Sequence, residues 1–304
     1  MREPRSDMIV HEVFVDELDA GATRNVAESV ANSYSLLMLH HIVDSSECAA
    51  LCTAASAAAA SERQARKNGP AFDAEGMRYD GKTGRIRGPV ADMLDSQAQS
   101  RCDRIMCSIA SQLQNEIPGL IPLLFGRPCL PHPLAKSTEL KFSPGEPAIN
   151  VYEPGGSFRA HTDKQSLTIL VPLSKAGGEP GMEPSGDYEG GGTAFWSRKD
   201  SVPHALDDER AEQLGIRESE SNPKVVLRPS PGSAIVFGGE MTHAALPVLK
   251  GLRCVLVASF SSRVIVMGDA ALRTRWSASV DSHALFNRAA ARRSRTKEDG
   301  KRLA

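Results

Sequence analysis

Four residues in the second half of the chain constrain its fold more than any other feature. His161 and Asp163 form an H-x-D triplet, His243 follows far downstream, and Arg253 stands ten positions after it. In an extended strand, side chains at positions i and i+2 point to the same side, so His161 and Asp163 can reach one ion while Thr162 points away. A site completed by so distant a histidine requires a β-rich fold that brings remote strands together.

The segment before His243 predicts the strand that delivers the third ligand. Residues 232–237 form an apolar, β-prone run that leads to Met241-Thr242-His243. Two imidazoles and one carboxylate on one face of a metal are the ligand set of non-haem Fe(II) oxygenases, which leave the opposite face open. The sequence therefore predicts that His161, Asp163 and His243 bind Fe(II) and form the catalytic centre.

Arg253 opens a second β-prone run, residues 253–260. A guanidinium is suited to hold a carboxylate through a bidentate, charge-assisted pair. Beside an iron site, the expected carboxylate is the distal one of 2-oxoglutarate, whose 2-oxo acid end chelates the metal. The sequence thus predicts a co-substrate site that includes Arg253.

Several segments in chain order resemble the 2-oxoglutarate/Fe(II) dioxygenases, specifically the prolyl 4-hydroxylase-like group. They are the helix-like segment 42–51, the sequence NVYEPGGSF at 150–158, GGGTAFW at 190–196, PGSAIVF at 231–237, and the stretch from His243 to Arg253. Together with H-x-D, the resemblance covers most of residues 36–262. It implies an α+β fold with a double-stranded β-helix core, jelly-roll and cupin-like in topology, flanked by N-terminal helices.

The resemblance also implies an activity. Members of this group hydroxylate an unactivated C–H bond and release succinate and CO2, with Fe(II), 2-oxoglutarate and in some cases ascorbate as reductant. It adds Tyr152 and Thr168 to Arg253 as co-substrate-binding residues. Two positions depart from the group: Arg253 stands where prolyl 4-hydroxylases usually have lysine, and Pro172 stands where a tyrosine is common. Asp163 argues against a halogenase, which has a small residue there.

The length of 304 residues and an ordinary globular composition allow one substantial domain with extensions, and the resemblance implies three regions. They are an N-terminal extension (1–35), the dioxygenase domain (36–265), and a C-terminal helical or disordered basic tail (266–304). The net charge of −1 gives no electrostatic reason to expect a nucleic-acid partner. Neither a signal peptide nor an apolar membrane span is visible, so no membrane partner is expected and the predicted location is cytoplasmic. The six cysteines form no CxxC pair.

Two kinds of substrate are compatible with the sequence. One is a proline-containing peptide or related amino acid, and the other is a small metabolite that the enzyme would hydroxylate or oxidatively cyclise. Two other classes share the pattern: a catalytically silent metal-binding module, and a cupin-like hydrolase or isomerase that would not need Arg253. Residues 197–224 form an acid-leaning insertion, a candidate lid that favours a neutral or cationic substrate. In the basic loop before the core, solvent exposure is favoured over substrate contact for Arg78, Tyr79, Arg85 and Arg87.

Overall fold

The computed structural model describes residues 10–15, 25–66, 78–80, 84–177, 186–197, 202–203, 217–218 and 222–263. The predicted C-terminal tail and most of the acid-leaning insertion lie outside these residues. The described helices are α1 (Val26–Ala31), α2 (Ser45–Arg66), α3 (Val90–Met93), α4 (Ser96–Glu116) and α5 (Leu120–Phe125). None of them is both long and apolar enough to cross a membrane.

The strands account for most of the core. In chain order they are β1 (Val10–Phe14), β2 (Ser35–Leu39), β3 (Arg78–Asp80), β4 (Arg85–Pro89), β5 (Leu140–Phe142), β6 (Ala148–Tyr152), β7 (Phe158–His161), β8 (Leu167–Pro172), β9 (Tyr188–Gly190), β10 (Thr193–Trp196), β11 (Val202–Pro203), β12 (Arg217–Glu218), β13 (Val225–Leu227), β14 (Ala234–Phe237), β15 (Thr242–Ala245), β16 (Val248–Gly251) and β17 (Arg253–Ser262).

Two antiparallel sheets form a double-stranded β-helix. The larger sheet has the order β1-β2-β14-β8-β17-β6-β4-β3, with β5 also paired to β17, and the smaller has the order β13-β10-β15-β7. From β6 onward the chain passes repeatedly between them: β6, β8, β14 and β17 lie in the larger sheet, and β7, β10, β13 and β15 in the smaller. This winding is that of a jelly roll. The predicted fold class is confirmed.

Successive residues of the buried strands face opposite sides of the larger sheet. On β6, Ile149 and Val151 belong to the apolar cluster that contains the helices, whereas Ala148 and Tyr152 belong to the cluster between the sheets. Period-two alternation is what a strand with two covered faces requires. The consequence for function is that Asn150 and Tyr152 point into the space between the sheets.

Helices α2 and α4 cover the outer face of the larger sheet, as predicted for flanking helices. Leu51 and Ala55 of α2 and Ile105 and Ile109 of α4 belong to the same buried cluster as the outward-facing strand residues. The alanine-rich sequence predicts a helix that is capped by Asp44, Ser45 or Ser46 and ends at about Arg66, and α2 covers Ser45–Arg66. The apolar spacing of residues 90–116 predicts one continuous helix. This prediction is wrong in one respect, because the chain is extended at Leu94 and α4 begins after Asp95, whose side chain accepts a hydrogen bond from the Ala98 amide.

Part of the predicted N-terminal extension joins this sheet. Strand β1 pairs with β2, which in turn pairs with β14, so residues 10–14 prolong the sheet beyond the jelly-roll strands. The buried Val30 of α1 belongs to the apolar cluster that contains the helices. The domain boundaries at 35 and 265 stay predictions.

Candidate functional site

The two predicted histidine ligands lie opposite each other on neighbouring strands. His161 is the last residue of β7 and His243 lies in β15, and the two are register partners in the smaller sheet. Their ring centroids are 4.2 Å apart. Asp163 follows β7 by two residues, so its carboxylate returns to the same side as His161, as the H-x-D spacing predicts.

The three side chains converge on one point. His161 Nε2 lies 3.4 Å from Asp163 Oδ1, and His243 Nε2 lies 3.6 Å from Asp163 Oδ2. One ligand atom from each residue falls within 4.8 Å of the others. Ligand atoms that share one face of an ion at 2.0–2.2 Å are about 3 Å apart, so a small inward movement suffices to bind a metal. The ligand set fits Fe(II).

Backbone carbonyls fix the tautomer of both histidines. His161 Nδ1 lies 2.9 Å from the Arg159 carbonyl oxygen, and His243 Nδ1 lies 3.0 Å from that of Met241. A carbonyl oxygen only accepts, so each Nδ1 carries the hydrogen and donates it. The lone pair of each Nε2 is thereby left for a metal, which is the usual arrangement of metal-binding imidazoles.

Charge states at neutral pH also suit metal binding. Burial opposes ionisation of Asp163, but His243, His161 and the hydroxyl of Thr168 together hold the pKa of its carboxyl below the usual range. Burial and the neighbouring His161 lower the pKa of His243 to about 4, against the opposing effect of Asp163. Asp163 is therefore ionised and His243 neutral at pH 7, which are the forms that coordinate metals.

Thr168 on β8 holds the carboxylate ligand. Its Oγ1 donates a 2.6 Å hydrogen bond to Asp163 Oδ2. The resemblance assigned Thr168 to the co-substrate, and it does border the cavity described below. Contact with 2-oxoglutarate stays a prediction, whereas the described contact orients a metal ligand.

We expect Thr168→Val to weaken Fe(II) binding about 10- to 100-fold, the usual effect of losing a hydrogen bond to a metal ligand. Anaerobic metal titration measures it. Thr162→Val is the matched control, because the buried Thr162 Oγ1 has no hydrogen-bond partner among the described residues. Equal metal affinity in both variants would show that the Thr168 hydroxyl does not orient Asp163.

Arg253 lies at the start of β17 with its guanidinium inside the protein. The residue is 5% exposed, its Nη2 donates a 2.8 Å hydrogen bond to Thr193 Oγ1, and its guanidinium carbon is 5.2 Å from the Tyr152 ring centroid. Within the described residues, no carboxylate lies at ion-pair distance from it. A buried guanidinium of this kind requires an anionic ligand to offset its desolvation.

All six predicted site residues border one cavity between the sheets. The cavity comprises about 490 Å³ of empty space, part of which is open solvent, and its walls include His161, Asp163, His243, Arg253, Tyr152 and Thr168. Sequence reasoning missed several further polar wall residues, among them Thr193 and Asn150. Thr193 could have been found from the GG-x-T pattern. Asn150 could have been found because it lies two residues before Tyr152 on the same strand. Its buried Oδ1 has no hydrogen-bond partner among the described residues.

No protein-family model and no curated protein matches the sequence. Solved structures similar to the chain include a prolyl-4-hydroxylase of Pseudomonas putida, with 17% identity, TM-score 0.43, and coverage of 78% of this chain and 97% of that one. Another is EvdO2 of Micromonospora carbonacea var. aurantiaca complexed with 2-oxoglutarate, with 20% identity, TM-score 0.44, and coverage of 80% and 92%. A third is the non-heme alpha ketoglutarate dependent epimerase SnoN, with 14% identity, TM-score 0.38, and coverage of 78% and 83%.

These similar structures share low sequence identity with this chain. The function is therefore argued from the site itself. What the described residues establish is a double-stranded β-helix with a His-Asp-His metal-binding group and a buried arginine in the wall of the same cavity.

Proposed function

We propose that the protein is an Fe(II)- and 2-oxoglutarate-dependent oxygenase that hydroxylates an unactivated C–H bond of a proline-containing peptide or related amino-acid substrate. The observation that carries this proposal is the shared cavity, which joins the ligand set of His161, Asp163 and His243 to the buried Arg253. A hydrolase or isomerase with the same three ligands has no use for a buried cation at that position. A 2-oxo dicarboxylate such as 2-oxoglutarate uses both the metal site and the buried cation.

The metal ligands and Arg253 each have a role in this reaction. His161, Asp163 and His243 would hold Fe(II), which when bound supplies the activation of oxygen. Arg253, oriented by Thr193, pairs with the distal carboxylate of 2-oxoglutarate. One oxygen atom of O2 enters the substrate C–H bond to give an alcohol, and the other enters the succinate left when 2-oxoglutarate loses CO2.

Part of the remaining wall of the cavity is apolar. Leu170, Val255, Val257 and Ala245 border it beside the polar groups. Apolar walls exclude water, which strengthens the pair between Arg253 and a carboxylate and protects reactive species from side reactions. The arrangement favours coupling of 2-oxoglutarate turnover to substrate oxidation.

The decisive experiment reconstitutes the protein anaerobically with Fe(II), measures the metal stoichiometry, and then adds 2-oxoglutarate and O2. We expect one Fe(II) per chain and conversion of 2-oxoglutarate to succinate that requires both iron and oxygen. Succinate formation should rise in the presence of the true substrate, with proline-containing peptides and free L-proline as the first two candidates. Tight metal binding without any succinate would instead indicate a hydrolase, an isomerase or a silent binding module.

A further inference from the structure

Two arginines of β4 border the cavity, and their guanidinium groups differ in what they offer a ligand. The central carbon of the Arg85 guanidinium lies 3.7 Å from the Phe158 ring centroid, and its Nε and Nη1 are closed off from solvent. The predicted exposure of Arg85 is therefore wrong, since the residue is 9% exposed. The side chains of Arg78 and Tyr79 lie outside the described residues. Arg87 is the arginine of β4 whose donors a ligand can reach.

Arg87 keeps donors open in the wall of the cavity. Within the described part of the chain its hydrogen bonds come from Nη2, which donates to Glu146 Oε1 at 2.6 Å and to the Pro144 carbonyl oxygen at 3.5 Å. Nε and Nη1 take no part in these bonds and, unlike the same atoms of Arg85, are open to solvent. The side chain is 20% exposed, so the predicted exposure of Arg87 is wrong for most of it.

The carboxylate partner of Arg87 lies at the metal end of the cavity. Ser259 of β17 donates to Glu146 Oε2 through its amide and, at 2.6 Å, through its hydroxyl. Ser259 is the register partner of Thr168, whose hydroxyl holds Asp163. Ser259 stands six positions after Arg253 on β17, roughly 20 Å at about 3.3 Å per residue. The ion pair is therefore tied to the strand positions that hold a metal ligand, and the co-substrate arginine starts from the other end.

Glu146 balances the charge of Arg87 without using all of its donors. The Glu146 side chain is 3% exposed, and three donors converge on its two oxygens, one from Arg87 and two from Ser259. Burial raises the pKa of Glu146, and Arg87 and Ser259 act against that shift because their donors stabilise the ionised form. A second carboxylate at Arg87 would lie beside this fixed anion, and like charges at such distances repel. The ligand that fits is an uncharged hydrogen-bond acceptor.

Building on the proposed function, we infer that the Nε and Nη1 donors of Arg87 bind an amide carbonyl oxygen of the substrate beside the metal site. A guanidinium only donates and a carbonyl oxygen only accepts, so the two match without adding a charge. The substrate class is then an uncharged amide, as in a peptide, rather than a free amino acid whose carboxylate Glu146 would repel. The acid-leaning insertion, which favours a neutral or cationic substrate, points the same way.

A matched pair of probes tests the inference. Cyclopentanecarboxamide and cyclopentanecarboxylate have the same ring and the same shape, carry one carbonyl group each, and differ in charge. Mn(II) bound in place of iron accelerates the proton relaxation of any molecule held beside it. With protein loaded with Mn(II) and 2-oxoglutarate, we expect fast relaxation of the amide probe and a dissociation constant at least tenfold lower than that of the carboxylate probe. By the affinity scale, tenfold corresponds to about 1.4 kcal/mol.

Three variants of the ion pair separate donors from charge. Arg87→Gln should weaken binding of the amide probe at least tenfold and leave the dissociation constant of 2-oxoglutarate within about twofold. Arg87→Lys keeps the pair with Glu146 but loses the planar fork, so the amide probe should bind at least threefold more weakly. Glu146→Gln should reverse the preference, because the charge of Arg87 then has no partner and the carboxylate probe becomes the better ligand.

A second ion pair provides the matched control. Arg104 of α4 and Glu47 of α2 form an arginine–glutamate pair in which the arginine is exposed, and Arg104→Gln should change the affinity of neither probe. Arg253→Gln should weaken 2-oxoglutarate binding and spare the amide probe. Melting temperatures verify that each variant is folded. If Arg87→Gln unfolds below the assay temperature, Arg87→Lys and Glu146→Gln decide the outcome.

Unchanged affinity for the amide probe in both Arg87 variants, or a parent protein that binds the carboxylate probe as well as the amide, would overturn the inference. So would a tenfold loss of 2-oxoglutarate affinity in Arg87→Gln with the amide probe unaffected, because Arg87 would then belong to the co-substrate site. Failure of the proposed function has a separate signature, the absence of Mn(II) or 2-oxoglutarate binding in the parent protein. The amide probe is in that case measured on metal-free protein by saturation-transfer NMR, where equal affinity of the parent and Arg87→Gln counts against the site.

Discussion

Asp163→Ala is expected to abolish Fe(II)-dependent turnover of 2-oxoglutarate and to weaken metal binding by more than about 100-fold. Loss of a hydrogen bond to a ligand already costs 10- to 100-fold in metal affinity, and here the anionic ligand itself is removed. The carboxylate faces the Nε2 atoms of both histidines, at 3.4 and 3.6 Å, so each of its two oxygens approaches one of the imidazole ligands. Two neutral imidazoles alone carry no charge to balance the cation.

Metal content after anaerobic loading and succinate formation are the two measurements for Asp163→Ala. Asp92→Ala is the matched control, because Asp92 is an exposed carboxylate in the first turn of α3. If Asp163→Ala kept the iron content and the turnover of the parent protein, the assignment of the three ligands would be wrong. If it lost turnover and kept iron, Asp163 would act on bound oxygen or co-substrate rather than as a ligand.

The metal-binding group could be predicted because its geometry is local to two strands. The H-x-D spacing alone places His161 and Asp163 on one side, and an apolar strand pattern before His243 indicates where the third ligand comes from. The structure adds what spacing cannot show, namely that His161 and His243 are direct register partners. Pairing between strands that are remote in sequence depends on the whole sheet.

The cavity wall contributed by β4 could not be predicted for the same reason. Arg85 lies in a glycine-rich, basic segment, and local composition favours exposure there. Its burial follows from two distant contacts, the pairing of β4 with β6 and the stacking on Phe158 of β7. The break between α3 and α4 is a smaller case: the apolar spacing continues across it, and the Asp95 cap decides where the second helix begins.

Arg253→Ala is expected to raise the apparent KM for 2-oxoglutarate at least tenfold while Fe(II) binding persists. Truncating one partner of a buried charge pair costs on the order of 2 to 5 kcal/mol, much of it from the unpaired charge that remains, and about 1.4 kcal/mol corresponds to a factor of ten. In this protein the remaining charge would be the distal carboxylate of 2-oxoglutarate, in a cavity with Val255 and Leu170 in its wall.

Arg253→Lys should be the mildest change at this position, because lysine is usual there in the prolyl 4-hydroxylases that the sequence resembles and because it keeps the charge. Thr193→Val provides the comparison for geometry alone, since it removes the hydroxyl that accepts from Arg253 Nη2 and keeps the guanidinium. We expect the KM for 2-oxoglutarate to be higher in Arg253→Lys than in the parent protein and highest in Arg253→Ala, with the same iron affinity in all three proteins. Equal KM values for 2-oxoglutarate in the parent, lysine and alanine proteins would exclude Arg253 from the co-substrate site.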